Sequence, residues 1–284
     1  MVFQSFKHKL AYKLNGFFVI KSFLDKDQID GLTTFYANLN LYAGTRVSSY
    51  GVYTNNKEHH SDSQNKEIDA FITDICRMSV DRFFKNYDIG GGIYLLKGKG
   101  NESVPMHQDW NMVDERKDLS MAIWIPLVDV DLNNGCLHVI PGSHNWFNNL
   151  RSSSIQSVFL PLNKKISNLL PVPLKKGDAV VYAHSLFHGS LPNKSEQTRP
   201  TVCLSLFSKY ANQISYDRNG NEVRLIHTNE QFYKNTSHYR HDLHPATVIP
   251  FRNNYQLTEE HFWKKYNSKG VYKFIMRWAL LLSK

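Results

Sequence analysis

His107-Gln108-Asp109 lies between two apolar, strand-like stretches, Gly92-Ile93-Tyr94-Leu95-Leu96 before it and Met121 to Val128 after it. Side chains alternate faces along an extended chain, so His107 and Asp109 point to one side and Gln108 to the other, bringing an imidazole and a carboxylate within reach of one ion. One further His would complete two imidazoles and a carboxylate on one face of an octahedron, a donor set suited to non-haem Fe(II) because the opposite face stays open. Zinc more often recruits a third His or a Cys. The same spacing recurs at His60-Ser61-Asp62, but the run from Asn55 to Asp62 is polar and reads as solvated loop. The copy flanked by apolar strands is the one expected to line an interior.

The partner His is sought further along. Gly177-Asp178 precedes Ala179-Val180-Val181-Tyr182-Ala183-His184-Ser185-Leu186-Phe187-His188-Gly189-Ser190, and Pro192-Asn193 precedes Thr198-Arg199-Pro200-Thr201-Val202-Cys203-Leu204-Ser205-Leu206-Phe207. Turn residues separating two apolar runs predict a hairpin. Pairing across Leu191 to Thr198 would return Arg199 to Ser190, which shares a face with His188 by the period of two. The planar fork of Arg gives a carboxylate two parallel charge-assisted hydrogen bonds, and a nearby hydroxyl adds a third. The expected ligand is a small carboxylic acid beside the metal. His184 lies four residues before His188 and shares its face in a regular strand, so spacing alone leaves the two as rivals.

Further ordered elements are Ala122-Ile123-Trp124-Ile125-Pro126-Leu127, Asn133-Asn134-Gly135-Cys136-Leu137, Pro141-Gly142-Ser143-His144 and, after His188-Gly189-Ser190, Asn193 and Arg199. Together with His107 and Asp109 they resemble the phytanoyl-CoA dioxygenase (PhyH)-like family of Fe(II)/2-oxoglutarate-dependent oxygenases. The likeness runs over about residues 90 to 207, with a looser echo at the N-terminus. It implies a mainly β chain with flanking helices, folded as a double-stranded β-helix, a jelly-roll, cupin-like barrel whose mouth holds iron on His107, Asp109 and His188. It selects His188 over His184, because the Gly-Ser, the Asn and the Arg follow His188 at the family's offsets. It also implies that Arg199, with Ser190, grips the distal carboxylate of 2-oxoglutarate. Trp124 matches a family Trp near the co-substrate, with a plain core aromatic as the competing reading. His144 is expected to be structural, and His138 to face either cavity or solvent.

In the family, 2-oxoglutarate and O2 fill the three open metal positions, and succinate and CO2 leave as a substrate C–H bond is oxidised. The chain is therefore expected to hydroxylate an aliphatic carbon of a small biosynthetic intermediate or lipid-like compound. Asp109 speaks against halogenation, since halogenating relatives lack that carboxylate; desaturation and ring closure use the same ligands and stay open. Two rivals remain: a non-catalytic jelly-roll binding protein, and a cupin-like metalloenzyme that needs no keto acid.

With 284 residues, 42% hydrophobic and 13% aromatic, the chain can bury one substantial core. No repeat or linker marks a boundary, so one domain over 1–284 is expected. Its core barrel would span about 90–210, with N-terminal helices in 25–87 bracing it and a C-terminal basic extension over 211–284. A strand is expected at Gly16 to Ile20. One helix is expected from Lys26 to Leu39, capped by Asp25, and a second from about Glu67 to Phe84 with Ile68, Phe71, Ile72, Ile75 and Val80 inward. Ala43 to Asp62 and Asn145 to Leu170 fit no barrel strand and are expected to form loops that shape the substrate pocket. Within them Arg46, Arg151, Lys164 and Lys165 read as solvated surface, or else as contacts to an anionic group.

Cys76, Cys136 and Cys203 are odd in number and each sits in an apolar stretch, which predicts buried free thiols and a reducing, cytoplasmic setting. The net charge of +9 sits at the ends: residues 209–284 carry 12 Lys/Arg against 6 Asp/Glu, and residues 1–24 carry four Lys. No nucleic-acid recognition element appears. An anionic or lipid-like small molecule or a membrane surface suits the charge better. Val271, Phe274, Ile275, Trp278, Leu281 and Leu282 fall near one helical face, in a segment too short for a bilayer, which takes about 20 residues. A terminal helix docked on the barrel or on a second subunit is expected there, with peripheral membrane contact through 271–284 as the alternative. His238 to His244 is His-rich but lacks a strand pattern, and a second metal is not expected.

Overall fold

A computed structural model describes residues 2–39, 52–53, 62–155, 157–160, 162, 166, 169–229, 232, 245–252 and 256–268. The N-terminal part forms a brace of α1 (Phe6–Asn15), β1 (Phe17–Ile20), α2 (Lys26–Asn38), β2 (Val52–Tyr53) and α3 (Asp62–Phe83). Asp25 caps α2 as its position predicts. Its carboxylate accepts the Gln28 N–H at 2.8 Å, while the Gln28 side chain accepts the Asp25 N–H at 3.0 Å. The first turn of α3 precedes the expected start at Glu67, because Asp62-Ser63-Gln64-Asn65-Lys66 carries no apolar period to announce it. Ile68, Ile72 and Val80 are buried, and Phe71 and Ile75 pack at the core's edge.

The chain then runs through β3 (Tyr87–Lys97), β4 (Val104–His107), β5 (Ser120–Pro126), β6 (Leu137–Val139), β7 (Leu170–Val172), β8 (Ala179–Ala183), β9 (His188–Ser190) and β10 (Arg199–Ser208). Strands β3, β5, β8 and β10 belong to a six-stranded antiparallel sheet ordered β1-β8-β5-β10-β3-β2, and β4, β6, β7 and β9 to a four-stranded sheet ordered β4-β9-β6-β7. This passage between two sheets is the jelly roll that the sequence led us to expect. Every residue of β5 and β8 is buried. One apolar cluster joins them to helix residues such as Ala11, Leu32 and Ile68 and to Leu137, Val139 and Val172 of the four-stranded sheet. Such strands have no solvent face, which accounts for their unbroken apolar runs. Helix α3 is fastened to β3 where the Asp69 carboxylate accepts the Gly92 N–H at 2.6 Å.

The expected hairpin does not form. β9 pairs with β4 and β6, whereas β10 pairs with β3 and β5. Period-two alternation assigns faces but not partner strands, and the connection from Leu191 to Thr198 is long enough to change sheets. Val52 and Tyr53, expected in a loop, pair with Leu96 and Leu95 at the sheet edge.

Beyond the barrel, β11 (Ile214–Asn219), β12 (Glu222–His227) and β13 (Ala246–Pro250) form a separate antiparallel sheet, and α4 (Glu259–Ser268) follows. Phe262 of α4 is buried against a cluster that includes Met106 and Phe187, and its ring centroid lies 4.9 Å from that of Phe187. The basic extension thus packs behind the residues that precede His107 and His188. Cys76 and Cys136 are buried free thiols as expected, but Cys203 is only half-buried, because it faces a cavity. Among the described residues no helix is long and apolar enough to cross a membrane. The segment 271–284, the His238 to His244 run, Arg46, Lys164 and Lys165 lie outside the described residues.

Asp69→Ala removes the acceptor from a buried N–H and should lower stability by about 1–3 kcal/mol, seen as an earlier denaturant midpoint with unchanged slope.

Candidate metal centre

Strand β4 ends at His107, and His107, Gln108 and Asp109 all contribute to the lining of one cavity. The Gln108 side chain is tethered by donating to the Ser185 carbonyl at 2.7 Å, and its backbone N–H donates to the Ser157 hydroxyl oxygen at 3.0 Å. Strand β9 runs antiparallel to β4 with His188 opposite His107. The two backbones approach closely at Gly189, where an added Cβ would lie 2.5 Å from the Val104 carbonyl oxygen. The Gly after His188 therefore has a packing reason.

One ligand atom from each of His107, Asp109 and His188 lies within 4.8 Å of the others. Each Nε2 stands 3.7 Å from the same Asp109 oxygen, Oδ1, too far for a hydrogen bond and near enough to share an ion. Each Nδ1 points at a carbonyl two residues back, Pro105 at 2.8 Å for His107 and Leu186 at 3.0 Å for His188. A carbonyl only accepts, so each Nδ1 carries the hydrogen and each Nε2 offers its lone pair to the cavity. Burial first, then the neighbouring His188, brings the His107 imidazolium down to about 4, which leaves a neutral imidazole at ordinary pH. For Asp109 burial opposes ionisation, but its interactions with His188, His184, His107 and the Arg151 guanidinium outweigh it and hold the carboxyl below its usual range.

His184 is not part of the triad. Its Nδ1 lies 2.6 Å from the Ser120 hydroxyl, and its backbone carbonyl accepts the Asp109 N–H at 2.9 Å. The rival thus holds the Asp109 backbone. His144 lies against Tyr12 at the barrel's back, and His138 is buried with Nδ1 at 3.2 Å from the Cys136 carbonyl. Neither joins the triad.

Arg151 overturns both of its expected readings. It is 1% exposed, and its Nη2 reaches both Glu115 oxygens at 2.7 and 2.6 Å. Its Nε donates to the Asp109 carbonyl at 2.6 Å. It meets an anionic group, but one supplied by the chain itself. Nothing in a polar loop sequence marks such an Arg as interior.

Arg199, Ser190 and Trp124 line the same cavity as the triad, about 640 Å³ in volume. Arg199 arrives on β10, opposite Lys97 of β3, and not across a hairpin. Its Nη1 donates to the Gly135 carbonyl at 3.0 Å, and its guanidinium carbon lies 5.1 Å from the Trp124 ring centre. Trp124 is therefore both a buried core aromatic and part of the Arg199 wall. Gly135 has φ +82, and a Cβ there would lie 2.6 Å from the Leu191 carbonyl oxygen. The Asn-Asn-Gly turn is what lets that backbone reach Arg199. At the open side Phe159, 54% exposed, stacks on His107 with ring centroids 5.8 Å apart. It comes from the Asn145 to Leu170 stretch, which also contributes Ser152, Ser153 and Ser157 to the lining.

A jelly roll carrying an inward His-Asp-His set is the scaffold of a metal-dependent oxygenase class. A model of the phytanoyl-CoA dioxygenase (PhyH) family matches residues 12–201, and the chain belongs to that family. Phytanoyl-CoA dioxygenase 1 of Oryza sativa subsp. japonica is 32% identical over 143 residues, covering 48% of this chain and 50% of that protein. Phytanoyl-CoA dioxygenase domain-containing protein 1 of Danio rerio is 33% identical over 118 residues, covering 38% and 40%. The matched region thus spans half or less of the length of these curated relatives. Among solved structures, HygX from Streptomyces hygroscopicus, with nickel and 2-oxoglutarate bound, aligns with a TM-score of 0.54 at 12% identity over 72% of this chain and 88% of that one. At that identity the likeness is one of fold.

Arg151→Met leaves Glu115 and the Asp109 carbonyl without their partner and should cost about 3–5 kcal/mol, measured by thermal or denaturant unfolding, whereas Arg151→Lys should recover part of the loss.

Proposed function

We propose that the chain is an Fe(II)- and 2-oxoglutarate-dependent oxygenase that hydroxylates an aliphatic carbon of a small, largely apolar molecule. The observation that carries this reading is the convergence of two Nε2 lone pairs and one ionised carboxylate in a cavity whose wall also holds Arg199 and Ser190. The donor set fits a ferrous ion: two nitrogens and one oxygen on one side, with the cavity on the other. His107, Asp109 and His188 would hold the metal, and Arg199 with Ser190 the distal carboxylate of 2-oxoglutarate. Once bound, iron and co-substrate supply the oxidising power, O2 being consumed and succinate and CO2 released as R–H becomes R–OH.

The chain's own residues bind, orient and shield. The Pro105 and Leu186 carbonyls fix both imidazoles as Nε2 donors. His184 and Arg151 hold the Asp109 backbone from opposite sides, at its N–H and its carbonyl. Apolar walls from Ile93, Leu95, Leu137 and Trp124 limit water around the reacting centre. Among the described lining residues Arg199 is the one permanent cation. With Arg199 given to the co-substrate, a neutral, lipid-like molecule suits the remaining surface better than an anionic one. Phe159 and Trp110 offer aromatic faces at the mouth, and the three serines offer hydroxyls.

The test is stoichiometric succinate formation with a panel of neutral apolar substrates. His107→Ala should abolish it, and Arg199→Ala should raise the 2-oxoglutarate KM by about 10- to 100-fold, the worth of a charge-assisted pair. Substrate oxidation that yields no succinate and is untouched by Arg199→Ala would point to a metalloenzyme that uses no keto acid. No binding of 2-oxoglutarate by the metal-loaded protein would point to a non-catalytic jelly roll.

A further inference from the structure

Lys97 is 0% exposed, an unusual place for an ammonium. It closes the apolar run Ile93-Tyr94-Leu95-Leu96 at the end of β3 and stands directly opposite Arg199 on β10, so two cations share one sheet face. Its Nζ donates to the Ser190 hydroxyl oxygen at 2.7 Å and to the Leu191 carbonyl at 2.6 Å. Both partners are neutral. Gly135, whose carbonyl binds Arg199, also packs on the Lys97 stem: a Cβ there would lie 3.2 Å from Lys97 Cδ.

The chemistry of the Lys97–Ser190 bond is directional. An ammonium has three donors and no acceptor, so Ser190 Oγ must accept. The hydroxyl hydrogen of Ser190 is then left to donate elsewhere. Arg199, the cation beside it in the cavity wall, cannot accept it either. A buried ammonium, a guanidinium and a hydroxyl that must donate together favour an anion at this part of the wall.

We propose that Lys97 is a positioning residue for the co-substrate: from behind the cavity wall it fixes Ser190 as a hydrogen-bond donor to the distal carboxylate and adds buried positive charge to that of Arg199. This rests on the reading of the cavity as a 2-oxoglutarate site. Burial, and after it the Arg199 charge, bring the Lys97 ammonium down to about 7. An arriving carboxylate favours the charged form and so strengthens the donor orientation of Ser190.

The experiment is calorimetric titration of the metal-loaded, oxygen-free protein with 2-oxoglutarate and, in parallel, with 2-oxopentanoate, which has the keto acid end but no distal carboxylate. Lys97→Met should weaken 2-oxoglutarate by about 10- to 100-fold and leave 2-oxopentanoate within about twofold. Adding Lys97→Met to Ser190→Ala should weaken 2-oxoglutarate less than Lys97→Met does alone, because the part that acts through the Lys97–Ser190 hydrogen bond is already lost. Should the Met variant not fold, Lys97→Gln removes the charge, keeps a donor and reads the same contrast. Equal weakening of both keto acids would mean a structural role and overturn the proposal, as would unchanged 2-oxoglutarate affinity. A wild-type protein that binds neither keto acid would instead remove the parent reading, and this one with it.

Discussion

Asp109 sits where burial alone would keep its carboxyl neutral, and the surrounding protein is arranged so that it stays ionised. His107 and His188 each place Nε2 3.7 Å from it, and the Arg151 guanidinium adds a fixed positive charge. Arg151 is itself neutralised by both oxygens of Glu115, so the charge is held in place without being left unpaired. The same Arg151 grips the Asp109 carbonyl, while the His184 carbonyl takes the Asp109 N–H. Orientation and ionisation of one carboxylate therefore come from the same few contacts. The imidazoles depend on that arrangement in turn, since each Nε2 faces the same Asp109 oxygen.

The two sheets divide the work. The four-stranded sheet carries His107 at the end of β4 and His188 at the start of β9, and α4 packs behind both through Phe262, Met106 and Phe187. The six-stranded sheet carries Trp124, Lys97 and Arg199. The C-terminal extension, basic and without a barrel pattern in its sequence, thus supports the side that carries His107 and His188, while the N-terminal helices support the sheet that carries Arg199 through Asp69 and Gly92.

What could be read from the sequence was local and repetitive. Alternation placed His107 and Asp109 together, and apolar period marked α2 and most of α3. The choice of His188 over His184 rested on offsets to Gly189, Ser190, Asn193 and Arg199, and the structure gives those offsets reasons in Gly189's close approach and the Lys97–Ser190 bond. Pairing partners were not legible, because a strand's alternation is the same whichever neighbour it meets; hence the hairpin that does not exist. Single buried charges were not legible either. Arg151 and Lys97 look like any surface cation until Glu115 and Ser190 are brought to them by contacts 36 and 93 residues apart in the chain. A Lys that ends an apolar strand facing an Arg is the one hint the sequence held.

The Lys97–Ser190 bond spans the gap between the two sheets, and so would any molecule gripped by Arg199 at one end and by His107 and His188 at the other. Such a molecule is a strut. Its length has to match the spacing of two sheets that is set by the core between them, so side chains far from the cavity act as shims for the fit. Loading the site should in return resist the sheets' separation, making the barrel mechanically stiffer when charged with co-substrate than when empty.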